Sequence, residues 1–112
     1  MSENVFPSDQ NELLYATGSI APSTTSTILT HVLTSDAVVH SVQFGGTGDG
    51  KVIIKFDGAP VGFGFIFRGQ PTAEFILNTT QAAGVTVSVD ITCEATATAD
   101  FHTTLAYRYP NG

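Results

Sequence analysis

The chain has 112 residues, the size of one domain, and its single cysteine excludes an internal disulfide. Ten acidic and four basic residues give a formal net charge of −6. Binding to nucleic acid or to an anionic membrane relies on clustered basic residues, so we expect neither among the partners of this chain.

The first segment, residues 1–12, is polar and acidic and has no hydrophobic periodicity, which is typical of an extended N-terminal arm. Val5, Phe6 and Pro7 form an apolar cluster inside it. The remainder, residues 13–112, is predicted to fold as one β domain. Because the sequence has neither a signal-peptide pattern nor a run of about 18 apolar residues, we expect the protein to fold in a cytoplasm.

Eight short strands are predicted after the arm, separated by turn residues. They span residues 13–20, 25–33, 37–44, 51–56, 61–67, 72–78, 85–93 and 99–109. The clearest is 85–93, because its apolar residues alternate strictly with polar ones. These apolar residues are Val85, Val87, Val89, Ile91 and Cys93. Cys93 is therefore expected to be a small buried hydrophobic residue rather than a nucleophile.

A β-hairpin is predicted where strands 51–56 and 61–67 flank the turn pair Asp57-Gly58. The second strand has an aromatic face and a glycine face. The aromatic face is expected to fill the core, and the glycine face to mark a sheet bend or a close approach to a neighbour. The aromatic face consists of Val61, Phe63, Phe65 and Phe67, and the glycine face of Gly62 and Gly64.

The number and spacing of these strands predict an all-β fold, a single-domain antiparallel β-sandwich. A jelly roll is the natural arrangement of eight strands in two sheets. The order of the strands in each sheet is left open, because the pattern of one strand does not identify its neighbours.

The glycine-rich loop at 45–50 is not predicted to bind phosphate, because Lys51 begins a strand and a phosphate-binding loop leads into a helix. A calcium site built from Asp49 with Asp57 or Asp100 is a possible alternative use of the carboxylates around it. We expect no bound metal and no cofactor.

Catalytic groups are scattered in the sequence. His31, His40 and His102 lie far apart, so isolated hydrogen-bonded histidines are expected. Glu74 and Glu94 form a carboxylate pair for glycoside hydrolysis only if the fold brings them together. We therefore expect a protein that is not an enzyme.

Two tyrosines near the C-terminus, Tyr107 and Tyr109, are the aromatic residues of the domain that are best placed for exposure. They are expected to pack in the core or to contact another subunit, and binding to sugar is the alternative. Together with Val5, Phe6 and Pro7, they are the predicted protein-contact residues.

From residue 16 to residue 109 the sequence resembles small β-sandwich structural proteins of bacteriophage virions, either capsid decoration (cement) proteins or tail-associated proteins. Five segments carry the resemblance. They are Ala-Thr-Gly-Ser at 16–19, Ser-Thr-Thr-Ser-Thr-Ile-Leu at 23–29, the glycine loop and hairpin at 48–58, Gly-Val-Thr-Val-Ser-Val at 84–89, and the closing strand at 99–107.

The resemblance implies a homotrimer that binds the major capsid protein on the outer surface of the shell and stabilises the virion. In that role the arm would contact the capsid or a neighbouring subunit. Two alternatives remain open: a tail or fibre module that binds other tail proteins or host glycans, and an accessory carbohydrate-active domain.

Overall fold

The computed structural model describes residues 12–110, and all regular secondary structure in this range is β-strand. The eight strands are β1 (Glu12–Ile20), β2 (Thr25–Val32), β3 (Ala37–Gly46), β4 (Gly50–Phe56), β5 (Ala59–Ile66), β6 (Ala73–Gln81), β7 (Thr86–Cys93) and β8 (Ala99–Arg108). No helix in the described range has the length and hydropathy needed to cross a membrane.

The strands form two four-stranded antiparallel sheets, sheet A with the order β1-β8-β3-β6 and sheet B with the order β2-β7-β4-β5. This order is a jelly roll, because the chain moves to the other sheet at every connection except the one between β4 and β5. The predicted antiparallel sandwich of about eight strands is therefore confirmed.

The β4–β5 hairpin has the predicted turn. Asp57 and Gly58 have φ values of 51° and 83°, as a two-residue hairpin turn of the I′ kind requires at both central positions. Glycine and aspartate tolerate this left-handed backbone better than most residues, which explains why the turn falls at this pair. Strand β5 begins directly after it, at Ala59.

The core lies between the inner faces of the two sheets. Alternate residues of β7, from Val87 to Cys93, are fully buried, so the period-two prediction for this strand and the buried position of Cys93 are both confirmed. Sheet A contributes Phe101 and Leu105 to the same core. Full burial of such a side chain stabilises the fold by roughly 1.5–3 kcal/mol.

The predicted orientation of β5 is wrong, because its glycines face the core and its aromatic side chains face outward. A Cβ atom on Gly64 would collide with the ring of Phe44, and one on Gly62 would lie 2.8 Å from the ring of Phe75. The two rings come from β3 and β6 of the opposite sheet. They already fill the space beside β5, so its bulky side chains project to the other face.

Candidate functional site

The outward side chains of β5 and the residue after it form an exposed apolar row, which we call the aromatic stripe. It consists of Val61, Phe63, Phe65 and Phe67, which are 37%, 59%, 55% and 59% exposed. The rings of Phe65 and Phe67 are stacked, with centroids 6.3 Å apart. Single exposed apolar residues are common, but a contiguous row of this kind is a candidate contact surface.

The position of β5 in the sheet makes the stripe accessible. Strand β5 is the edge of sheet B and pairs only with β4 in that sheet. Lys51 lies opposite Phe65 and Ile53 opposite Phe63, so these side chains share the outer face with the stripe. An unpaired edge with apolar neighbours is a place where another chain can bind.

A cavity of about 320 Å³ lies beside the stripe, at the connection from β5 to β6. Its lining is mainly apolar and includes two polar side chains. The lining residues are Phe44, Phe65, Ile66, Phe67, Gln70, Pro71, Thr72 and Ala73. Because this volume reaches the lower end of ligand-binding cavities, it can receive one large side chain or a small ligand.

Basic residues are concentrated around the stripe. Three of the four in the chain lie here: Lys51 and Lys55 on β4, and Arg68 directly after Phe67. Two carboxylates lie nearby. Asp90 forms an ion pair with Lys55 at 2.8 Å, and the Asp49 carboxylate accepts a hydrogen bond from the Arg68 backbone N–H at 2.8 Å. The stripe therefore lies among three of the four basic residues of a chain whose net charge is −6.

Asp90 joins three strands across the outer face of sheet B. It lies on β7, pairs with Lys55 on β4, and accepts a hydrogen bond of 2.6 Å from the hydroxyl of Thr27 on β2. Burial raises the pKa of Asp90. The hydrogen bonds from Lys55 and Thr27, together with the Lys55 charge, outweigh that effect and leave the pKa below its ordinary value of 3.8.

A second, more polar surface lies on the outer face of sheet A. Tyr15 stacks on His102 with ring centroids 6.1 Å apart, beside a cavity of about 290 Å³. At its edge the Ser19 hydroxyl donates a 2.5 Å hydrogen bond to the Asp100 carboxylate. Both contacts join β1 to β8.

The two predicted contact residues within the described range, Tyr107 and Tyr109, differ in burial. Tyr107 is 7% exposed and packs in the core, one of its two expected uses, with its ring centroid 5.0 Å from that of His31 and 5.3 Å from that of Tyr109. Burial, the neighbouring phenol of Tyr109 and the Glu12 carboxylate raise the pKa of Tyr107 to about 12. Tyr109 is half-buried and accepts a hydrogen bond from the Thr34 backbone N–H.

The other three predicted contact residues, Val5, Phe6 and Pro7, lie outside the described residues. So does the predicted arm, except for its last residue, Glu12, which begins β1. The contact roles of these residues and of Tyr109 remain predictions.

Within residues 12–110, no three His, Cys, Asp or Glu side chains come close enough to hold a metal ion. Asp57 accepts a hydrogen bond from the Thr86 backbone N–H at 2.8 Å, which fixes the hairpin to β7.

The two carboxylates considered for glycoside hydrolysis, Glu74 and Glu94, lie in different sheets. Glu74 is on β6 of sheet A, where the Ser41 hydroxyl donates a hydrogen bond to it, whereas Glu94 follows β7 of sheet B.

No family model and no curated protein matches this sequence. The solved structures that share the fold include three with TM-scores above 0.5. PirA has 14% identity and a TM-score of 0.55 over 82% of this chain and 92% of its own. The CBM36-1 domain of a multidomain xylanase from the hindgut metagenome of Trinervitermes trinervoides has 13% identity and a TM-score of 0.54, over 88% of this chain and 95% of its own.

The insecticidal delta-endotoxin Cry8Ea1 from Bacillus thuringiensis has 9% identity and a TM-score of 0.52, and the match covers 80% of this chain but only 19% of the toxin. At these identities the three similarities establish a common β-sandwich fold. A shared fold does not determine function, which depends on the surfaces of this chain.

Proposed function

We propose that this chain is a non-catalytic structural protein of a bacteriophage virion, a capsid decoration protein that stabilises the shell from outside. The observation that carries the proposal is the aromatic stripe. Three phenylalanine rings more than half exposed on one sheet edge are costly for an isolated domain, but they suit a protein that works in contact with others. The resemblance of residues 16–109 to phage structural proteins adds the virion setting.

The composition of the surface agrees with this role. Charged residues make up 12% of the chain, about half the usual share, and Thr and Ser cover much of the sheet exterior. Charge depletion lowers the cost of removing a protein surface from water. A jelly roll with few charges on its outer faces can therefore bind a shell without any catalytic group.

The location of the protein in purified particles tests the proposal directly. We expect cryo-electron microscopy to show its density at a regular set of positions over the shell, at many copies per particle. Density confined to the tail would replace the decoration role with the tail or fibre role. A particle without the protein would overturn the virion assignment.

The double variant Phe63→Thr/Phe65→Thr tests the stripe. Threonine suits an exposed strand, so we expect the free energy of unfolding to change by less than about 1 kcal/mol. When added to particles from which the native protein has been removed, the variant should occupy at least tenfold fewer sites than the original chain. The matched control is Leu13→Thr/Tyr15→Thr on the outer face of sheet A, where the original side chains are 71% and 63% exposed. An equal loss in both double variants would contradict a specific role for the stripe.

Glycan binding is a second candidate, favoured by the stacked rings of Phe65 and Phe67 beside a cavity that contains Gln70 and Thr72. Aromatic faces with a few polar groups are typical of small-molecule sites. Titration with xylo-oligosaccharides by calorimetry tests this use, with Phe65→Thr/Phe67→Thr as the variant. Binding lost in that variant but kept in Leu13→Thr/Tyr15→Thr would move the function to sugar recognition.

A further inference from the structure

The aromatic stripe and its cavity match the composition of a segment of this same chain. Residues 3–9 read Glu-Asn-Val-Phe-Pro-Ser-Asp, an apolar centre between two acidic residues. The stripe offers the complement, because its rings and cavity are apolar and Lys51, Lys55 and Arg68 lie around it. We propose that the stripe binds the N-terminal arm of a second copy of this chain, with the Phe6 side chain in the cavity beside Phe65 and Phe67.

The fit of the anchor is the first argument. The cavity of about 320 Å³ exceeds the volume of one phenylalanine side chain, and its walls are mostly apolar. A central aromatic residue inserted into a preformed pocket is the usual energetic anchor of a protein interface. Val5 and Pro7, on either side of Phe6, would then lie against the exposed rings.

Charge complementarity is the second argument. Glu3 and Asp9 bring two negative charges to the part of the surface where Lys51 and Arg68 are exposed. Elsewhere acidic residues predominate. Opposite charges at the rim of an apolar contact set its register and speed association, and salt weakens them.

The length of the arm indicates whether the stripe binds the arm of its own chain or that of a second copy. Phe6 precedes Glu12 by six residues, which span at most about 20 Å. Strands β1 and β5 lie on opposite sides of the sandwich and in different sheets. Three strand spacings, the gap between the sheets and the four-residue offset between Glu12 and the level of Phe44 place the cavity roughly 20–25 Å from Glu12 in a straight line. That line passes through the sandwich, and a path over the surface is longer than the extended arm. The arm of a second copy can approach the stripe directly, so we assign the contact to a neighbour.

This geometry has a consequence for assembly. The arm and the stripe are different surfaces, so each copy donates an arm to the next and receives one from the previous copy. Such a heterologous contact closes into a ring when the rotation between copies permits. The predicted homotrimer is one ring of this kind. The inference concerns contact between copies and holds whether or not the protein decorates a shell.

The decisive experiment measures arm binding in the absence of any particle. The receptor is the full chain carrying Phe6→Ser, which leaves its folded domain unchanged and its stripe free. The probe is a synthetic peptide of residues 1–11, titrated by fluorescence anisotropy. We expect binding that weakens at least tenfold when the peptide carries Phe6→Ser, and at least tenfold when the receptor also carries Phe63→Thr and Phe65→Thr.

Two further measurements complete the test. Binding should weaken as salt is raised from 50 mM to 500 mM, because rim charges contribute. The mass of the unmodified chain, measured by light scattering, should exceed that of the Phe6→Ser chain. A peptide that fails to bind, or that binds equally well after the stripe is changed, would overturn the arm contact while leaving the particle experiment free to support or reject the decoration role.

Discussion

At the scale of single residues, Gly64 controls which face of β5 is buried. Its missing side chain leaves room for the ring of Phe44 from the opposite sheet, so that aromatic ring packs directly on the β5 backbone. A strand with glycine on its inner face presents its large residues outward. The exposure of the stripe is thus a consequence of how Phe44 packs against Gly64 in the core.

We expect Gly64→Ala to lower the free energy of unfolding by about 1–3 kcal/mol, because the new methyl group overlaps the Phe44 ring. Urea denaturation followed by circular dichroism measures the change. Phe44→Leu in the same chain should recover part of the loss, since the smaller side chain makes room for the methyl group. Purely additive effects of the two substitutions would show that the contact is not as described.

Residue patterns predicted burial well on β7 and failed on β5. On β7 the polar residues could face only solvent, so the apolar ones had one possible direction. On β5 both faces lack polar residues, so hydrophobicity alone predicts that Phe63 and Phe65 lie in the core. The available signal was Gly62 and Gly64, because glycine on an inner face is required when rings of the facing sheet come close.

At the scale of elements, the outer face of sheet B is tied together by polar contacts across β2, β7 and β4. Thr27 and Lys55 hold the Asp90 carboxylate from two sides, and the hydroxyls of Thr25 and Thr92 lie 2.6 Å apart further along. Cross-strand pairs of this kind contribute a few tenths to about 1 kcal/mol each. The aromatic stripe, on β5, lies at the edge of this cross-linked face.

Asp90→Asn is expected to lower the free energy of unfolding at pH 7 by about 0.5–1 kcal/mol, since it removes a partly buried ion pair. The folded-state pKa of Asp90 lies below 3.8, so its stabilising effect is complete above that pH and is lost as the pH falls through the folded value. Urea titrations from pH 7 to pH 2.5 should show the two chains converging at the acidic end. Asp36→Asn is a control from outside the ion pair, and a constant gap across the range would contradict the linkage.

The strands were predictable as elements because turn residues bound them, and the Asp57-Gly58 hairpin is the best case. The pairing of strands was not. Strand β8 lies between β1 and β3, and β7 lies between β2 and β4, in partnerships set by packing across the whole domain. The candidate site could not be predicted either, because it depends on which face of β5 the opposite sheet leaves uncovered.

At the scale of the whole molecule, Cys93 reports on the integrity of the sandwich. The thiol is fully buried on the inner face of β7, where its Sγ lies 3.7 Å from the Ala97 carbonyl oxygen. Sheet B must open before a reagent can reach it.

We therefore expect Cys93 to react with an aromatic disulfide reagent more slowly in the native chain than in 6 M guanidinium chloride, on the order of a hundredfold or more. The absorbance of the released thiolate measures the rate. Phe101→Ala, which removes a core ring, should speed the native reaction, whereas Phe63→Thr should leave it unchanged. Fast labelling of the native chain would show that β7 opens locally.

The jelly-roll order also determines how this chain must fold. Within residues 12–110, β4 and β5 are the only consecutive strands that pair in one sheet, and every other pairing joins segments distant in the chain. Distant pairings slow folding, typically to milliseconds or seconds for sandwiches, while a hairpin forms in about 1–10 μs. The hairpin that can form first carries the aromatic stripe. A refolding chain can therefore expose the aromatic stripe before the two sheets have assembled, and the refolding yield should fall as protein concentration rises.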